Sequence, residues 1–197
     1  GTTETPIMDA LQDHKELKYI VGLQENPVVG MADGYARASG KPSFCNLHVA
    51  GGLAGGITML YDAYKGGTPL VLTAGQADTR ALLTEPGVSG DLVQMVEQYT
   101  KWAGEIQHAG DIPQAMRRAF KEAKTPPTGP VFLGFPWNAL DDEADVDITP
   151  SSAGYSRLRP DASAVTEAVQ LLARAERPVI VVGDRVAQSG ALAEAVR

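Results

Sequence analysis

Three polar side chains follow short apolar runs in this chain: Glu25 after residues 18–23, His48 closing residues 43–48, and Gln76 just past residues 68–74. Carboxylates and imidazoles are the side chains best suited to holding and passing a proton near neutral pH. If the three runs are neighbouring parallel strands, their carboxyl ends share one rim, which is where open α/β sheets bind ligands. Each residue also has an ordinary reading. A Glu in the first turn of a helix is favoured by the helix dipole and needs no other role. Against that, Leu23, Val28 and Val29 flank Glu25 with apolar surface, and a carboxylate buried among them would hold or share a proton. A strand-end histidine can be satisfied by backbone alone; the other reading of His48 is proton transfer to a bound molecule.

Other candidates carry less. The segment Gly51-Gly-Leu-Ala-Gly-Gly56 lacks the G-x-G-x-x-G order, and Ile57 stands where a phosphate-binding loop needs Lys. A tight turn with close helix approach is the better reading. Cys45 sits mid-run among apolar neighbours and reads as core packing. Trp102 and Trp137 read as packing residues, and His14 and His108 as surface residues in polar segments. The three histidines show no metal-ligand spacing, and a single cysteine excludes an internal disulfide framework and a multi-cysteine zinc site. No metal ligands are expected in this chain.

The elements that would position these residues can be read from periodicity. Residues 18–23 predict a buried strand. Asn26 is a good N-cap and Pro27 suits the first helical position, so a helix follows to Ala38 and stops at Ser39-Gly40. Gly30 and Gly34, spaced i, i+4, suggest a face where another backbone comes close. Residues 43–48 predict a second strand, then a glycine-rich turn, then a helix over about 57–64. Residues 68–74 predict a third strand, 78–90 a loop, and about 91 onward a helix. An edge strand over 101–106, a helix over 112–124 and a strand over 129–135 complete the pattern. Alternating strands and helices with apolar strand cores predict an α/β fold, an open parallel sheet flanked by helices. Acidic residues and then Pro150-Ser-Ser152 mark residues 141–160 as a linker. An amphipathic helix over 162–175 and a strand over 178–183 predict the start of a second α/β domain.

Composition narrows the function classes. The chain has 197 residues, long enough for a hydrophobic core, and a net charge of -7 with no Lys/Arg block, which disfavours a nucleic-acid partner. No apolar run reaches about 18 residues, so no membrane span is expected. No signal peptide is visible, and a cytoplasmic enzyme-like domain is the default expectation. The chain starts without Met and stops inside a helical pattern, which reads as a fragment of a longer protein.

Several blocks together resemble a known family: Gly1-Thr-Thr-Glu4, Leu23-Gln-Glu-Asn26, Ala32-Asp-Gly-Tyr-Ala-Arg-Ala38, Asn46-Leu-His48 and Thr68-Pro-Leu-Val-Leu-Thr-Ala-Gly-Gln76. In order and spacing they resemble the N-terminal, pyrimidine-binding domain of thiamine-diphosphate-dependent enzymes of the benzoylformate decarboxylase and acetolactate synthase group. The resemblance covers about residues 1–140, implying a pyrimidine-binding domain that lacks its first strand and helix; residues 161–197 resemble the opening of the family's central domain.

The resemblance implies roles residue by residue. Glu25 matches the glutamate that hydrogen-bonds the cofactor's aminopyrimidine nitrogen, promoting the tautomer that removes the thiazolium C2 proton; the cofactor then serves as electron sink for decarboxylation of a 2-oxo acid. His48 matches a histidine of the decarboxylase members and would protonate intermediates or orient the substrate carboxylate. Thr2 falls where that subgroup has a serine contacting the substrate carboxylate, and Gln76 lies near the cofactor pocket. Acetolactate synthase-like members carry Ser-Gly-Pro-Gly where this chain has His48, so it leans to the decarboxylase type. Val49 and Gly55 depart from the decarboxylase pattern. The diphosphate and Mg2+ site of the family is a G-D-G motif in a C-terminal domain, and Gly183-Asp184-Arg185 is not it. The resemblance thus implies thiamine diphosphate and Mg2+ as cofactors, a homodimer or homotetramer, and an inactive fragment when this chain stands alone. An acetolactate synthase-like carboligase and a non-catalytic α/β binding module are the alternatives.

Overall fold

A computed structural model describes residues 1–151 and 159–196. The chain divides into two units, Gly1–Gly154 and Tyr155–Arg197. In the first unit the elements run α1 (Thr5–Ala10), α2 (Glu25–Ser39), β1 (Ser43–Leu47), α3 (Val49–Gly66), β2 (Leu70–Gln76), α4 (Leu92–Val96), β3 (Trp102–Glu105), α5 (Ile112–Lys124), β4 (Val131–Pro136) and α6 (Trp137–Asp141). The strands form one all-parallel sheet in the order β1-β2-β4-β3. This is the expected open parallel sheet, with the segment over 101–106 at its edge.

Alternation along the central strands builds two cores. Leu70, Leu72 and Ala74 of β2, with Phe132 of β4, pack against α2, α3 and α4 through Val29, Leu53, Leu60 and Leu92. Val71 of β2 and Val131, Leu133 and Phe135 of β4 face the other way, onto Ala119 and Ala123 of α5 and Ala139 of α6. Every residue of β2 and β4 is buried. A strand covered on both faces needs a continuous apolar run, which is what those sequences supply. Cys45 lies in β1 within the first core, and burial pushes its thiol up to about 12, so it stays an inert packing group.

Several sequence expectations need correction. Residues 18–23 form no strand, and Tyr19, Ile20, Val21 and Leu23 are exposed. Among the described residues β1 pairs only with β2, so the sheet ends at β1 and residues 18–23 do not add to it. The run over 178–183 in the second unit likewise forms no strand, with Val179 and Val181 exposed. That unit contains α7 (Ala162–Arg174), α8 (Arg185–Gln188) and α9 (Leu192–Ala195). The N-cap of α2 is Gln24 rather than Asn26, with no side-chain cap, and Glu25 itself supplies the first-turn negative charge. Of the linker expected over 141–160, residues 152–158 lie outside the described residues.

The glycine-rich stretch is helix, not turn: α3 starts at Val49 and runs through it. Each glycine costs about 1 kcal/mol of helix propensity, and packing outweighs this. A Cβ at Gly56 would stand 2.6 Å from Leu47 Cδ1 and 3.0 Å from Val29 Cγ2, so glycine lets α3 lie directly on β1 and α2. The close backbone expected at Gly30 and Gly34 is not found among the described residues. A Cβ at Gly30 would meet the Met59 side chain at 3.4 Å, and Gly34 has nothing within 4 Å.

Candidate active site

At the amino end of the sheet the Ala32-Asp-Gly-Tyr-Ala-Arg-Ala38 motif has a structural task. Asp33 is buried and accepts hydrogen bonds from Thr68 Oγ1 at 2.6 Å and Arg37 Nε at 2.9 Å. Arg37 also donates to the Asp62 carbonyl at 3.1 Å. These bonds tie α2 to α3 and to the residue that leads into β2.

The opposite end of the sheet carries the candidate chemistry. His48 is the residue between β1 and α3, and Val49 turns the chain there with φ 44. A buried, β-branched residue in the left-handed region costs of order 1–3 kcal/mol, and such strain persists where surrounding structure enforces it. The turn makes His48 the N-cap of a long helix while leaving its side chain 36% exposed.

Glu25, in the first turn of α2, is half-buried. The N-terminal glycines of α3 make its seat. A Cβ at Gly55 would meet Glu25 Oε2 at 3.3 Å, and one at Gly52 would lie 3.5 Å from both Glu25 Oε1 and His48 Cβ. Gly52 therefore stands between the carboxylate and the imidazole and brings them to one rim. Among the described residues the Glu25 carboxylate has no hydrogen bond or ion pair.

His48 has a third neighbour that sequence reasoning missed. Glu4 is almost fully buried, and its Oε2 lies 2.8 Å from His48 Nδ1 and 2.8 Å from the Gly1 amino group. Its Oε1 accepts from Thr3 Oγ1 at 2.5 Å, and Thr3 Oγ1 is 3.3 Å from His48 Nδ1. Burial raises the Glu4 carboxyl, while the hydrogen bonds from Thr3 and His48 lower it. The carboxylate fits because residue 75 is glycine: a Cβ there would overlap Glu4 Oε1 and Thr3 Oγ1. Nothing near Glu4 in sequence signals this burial; the pit belongs to the distant strand β2.

Thr2 is exposed, and its carbonyl accepts from Thr5 Oγ1 at 2.8 Å. Gln76 ends β2 one residue beyond Gly75, and strand alternation turns it to the other side. Its amide donates to the Gly90 carbonyl at 2.7 Å and to Glu105 Oε2 at 3.2 Å, and its oxygen accepts from the Ala77 N–H at 3.0 Å. These residues line an open groove of about 420 Å³ with Leu82, Ser89, Asp91 and Val93. Burial, with the nearby Asp91 charge, raises the Glu105 carboxyl against the Gln76 hydrogen bond. The structure thus brings Glu25 and His48 to Gly52, adds Glu4 beside His48, and places the Gln76 side chain in a groove with Gly90 and Glu105. Among the described residues no helix is long and apolar enough to cross a membrane.

Known proteins match this chain in sequence and in fold. Residues 1–100 match the family model for the thiamine pyrophosphate enzyme N-terminal TPP binding domain, and the chain belongs to that family. It is 36% identical over 196 residues to benzoylformate decarboxylase of Pseudomonas aeruginosa, covering 94% of this chain and 35% of that protein. It is 31% identical over 203 residues to a probable acetolactate synthase large subunit of Methanocaldococcus jannaschii, covering 100% of this chain and 34% of that one. The crystal structure of benzoylformate decarboxylase from Polynucleobacter necessarius superposes with a TM-score of 0.90 at 32% identity, over 100% of this chain and 36% of that one. The chain spans about a third of the length of the relatives it matches.

Proposed function

We propose that this chain is part of an enzyme that uses thiamine diphosphate to decarboxylate a 2-oxo acid, in the manner of a benzoylformate decarboxylase. The observation that carries this reading is the Glu25 carboxylate: half-buried, seated on Gly52 and Gly55, beside His48, and without a protein partner. A carboxylate so placed suits a hydrogen bond to a ring nitrogen of a bound aminopyrimidine, so the residues present fit the cofactor. When bound, thiamine diphosphate supplies the carbanion that attacks the substrate carbonyl and the electron sink for loss of CO2. Glu25 holds or shares the proton at the pyrimidine nitrogen. His48 holds a proton at the substrate side of the same rim, and Thr2 offers its hydroxyl to the substrate carboxylate. Gln76 borders the cofactor pocket from the groove side.

Residues 1–140 are in this reading the pyrimidine-binding domain, 141–160 the linker and 161–197 the start of a central domain. Mg2+ and the diphosphate are held by a C-terminal domain outside these 197 residues, and this chain alone binds cofactor poorly and turns nothing over. The assembly is a homodimer or homotetramer, and the open surface at Gly34 is where a partner subunit packs. Gly34→Leu then disrupts assembly; an unaltered sedimentation profile overturns that contact. The protein works in the cytoplasm on a small 2-oxo acid, without a nucleic-acid or membrane partner.

The testing experiment is CO2 release by the full-length protein with thiamine diphosphate and Mg2+, across aromatic and aliphatic 2-oxo acids, beside Glu25→Ala. Release that vanishes in the variant supports the reading, and the best substrate names the subgroup. Similarity to an acetolactate synthase large subunit favours a second reading, a carboligase that joins two 2-oxo acids. His48 speaks against it, and product analysis with pyruvate decides. If no 2-oxo acid releases CO2 and Glu25→Gln leaves the protein's function intact, the chain is a non-catalytic binding module.

A further inference from the structure

The hydrogen bonds around Glu4 close only one way. The carboxylate is ionised at neutral pH and can only accept. Thr3 has one hydroxyl proton, and at 2.5 Å it goes to Glu4 Oε1. Thr3 Oγ1 therefore faces His48 Nδ1, 3.3 Å away, with a lone pair. Glu4 Oε2 faces the same nitrogen at 2.8 Å, again with a lone pair. Two acceptors converge on Nδ1, so Nδ1 must carry the proton. The accounting at Nδ1 uses only Thr3 and Glu4 and not the contact between the Gly1 nitrogen and Glu4 Oε2. Among the described residues the other ring nitrogen, Nε2, has no hydrogen-bond partner.

Glycines enforce the arrangement. A side chain at Gly75 would displace the Glu4 carboxylate and Thr3, and one at Gly1 would overlap the His48 ring. The ring is held from two sides while its Nε2 edge stays free, and the buried carboxylate has no other titratable side chain to serve.

We propose that Glu4 is a positioning residue for His48, fixing the imidazole with its proton on Nδ1 so that Nε2 is the nitrogen that meets the substrate. For the reaction this rests on the decarboxylase reading above; the tautomer itself does not. The principle is the familiar one of a carboxylate that orients an imidazole without touching substrate.

The test uses the full-length protein labelled with ¹⁵N-histidine, with His48 assigned by loss of its signals in His48→Gln. Long-range ¹H–¹⁵N correlation above the ordinary imidazole titration range, near pH 8, reads each ring nitrogen as protonated or not. The expected result is Nδ1 in the N–H range for His48 in the unmutated protein; a lone-pair shift at Nδ1 overturns the proposal with no variant needed. In Glu4→Ala the proton moves toward Nε2 and kcat for CO2 release falls roughly 10- to 100-fold with little change in KM. Glu4→Gln, whose amide oxygen still accepts from Nδ1, restores the tautomer and most of kcat. A Glu4→Ala protein with the tautomer and kcat of the unmutated one overturns the assignment. If the unmutated protein releases CO2 from no 2-oxo acid, the decarboxylase reading fails, and the nitrogen shifts alone still decide whether Glu4 fixes His48.

Discussion

Asp33 and Glu25 lie eight residues apart on α2, and their surroundings are opposite. Asp33 is buried and fully occupied: Thr68, Arg37 and the approach of Arg37 to Asp62 lock three elements together at the amino end of the sheet. Glu25 is half-buried at the carboxyl end, seated on glycines and joined to no protein group. A desolvated charge without a partner is costly, whereas one with two hydrogen-bonding neighbours is a fastener. The same helix thus carries one carboxylate that holds the fold and one that waits for a ligand. The lesson is that the partner list, more than burial, separates a structural charge from a functional one.

This contrast can be broken from its strongest side first. Glu25→Gln should lower CO2 release by the full-length protein by about 10³-fold, while its urea midpoint moves little; a matching loss of stability would make Glu25 a second fastener. Asp33→Ala should do the reverse. It removes an acceptor from Thr68 and Arg37 and should cost about 2–3 kcal/mol in urea unfolding, with kcat per folded molecule unchanged. A lower kcat with an unaltered midpoint would erase the distinction.

Gly75→Ala should destabilise by about 1–2 kcal/mol, because the added methyl collides with Glu4 and Thr3 in a packed pit. A neutral effect in the same unfolding measurement would show that the pit can widen.

The two remaining carboxylates sharpen the comparison through pH. Thr3 and His48 favour the ionised form of Glu4, so the stability those hydrogen bonds contribute is present above the ordinary carboxylate value, about 4.3, and is lost as pH falls below it. Glu105 has the opposite sign. Its raised value means the folded state binds the proton more tightly, so stability is fully present below the unfolded value and is lost as pH rises through the folded one. Glu105→Gln should therefore stabilise by about 0.5 kcal/mol near neutral pH, and the gain should vanish in acid, near pH 4. A gain that persists unchanged in acid would show that the amide stabilises by packing rather than by removing a charge.

The sequence was legible where structure is local. Apolar runs between turn residues located β2 and β4, the segments 43–48 and 101–106 located β1 and β3, and the bounds of α5 follow from Pro113 at its start and lysines in its last turn. His48 was legible because it closes a strand, and Glu25 because it stands at the start of a helix among apolar neighbours, both matters of order along the chain. Reading failed where a distant backbone decides. The stretch Gly51-Gly-Leu-Ala-Gly-Gly56 reads as a turn by propensity, yet Leu47 and Val29 need its missing side chains and hold it helical. Residues 18–23 read as a strand, but apolar composition does not decide whether a run joins a sheet, and the sheet ends at β1.

By itself, then, the sequence determined the α/β class, the parallel sheet, the order of elements and the membership that Ala32-Asp-Gly-Tyr-Ala-Arg-Ala38 and its companion blocks signalled. Periodicity and turn chemistry are written residue by residue, so these need no knowledge of contacts. Only the tertiary structure decided that Asp33 is a clamp, that Gln76 bonds Gly90 and Glu105, and that Glu4 is the carboxylate beneath the imidazole. Each of those depends on which side chains a neighbouring strand or helix leaves room for, and the room under Glu4 is made by a glycine on β2 far along the chain.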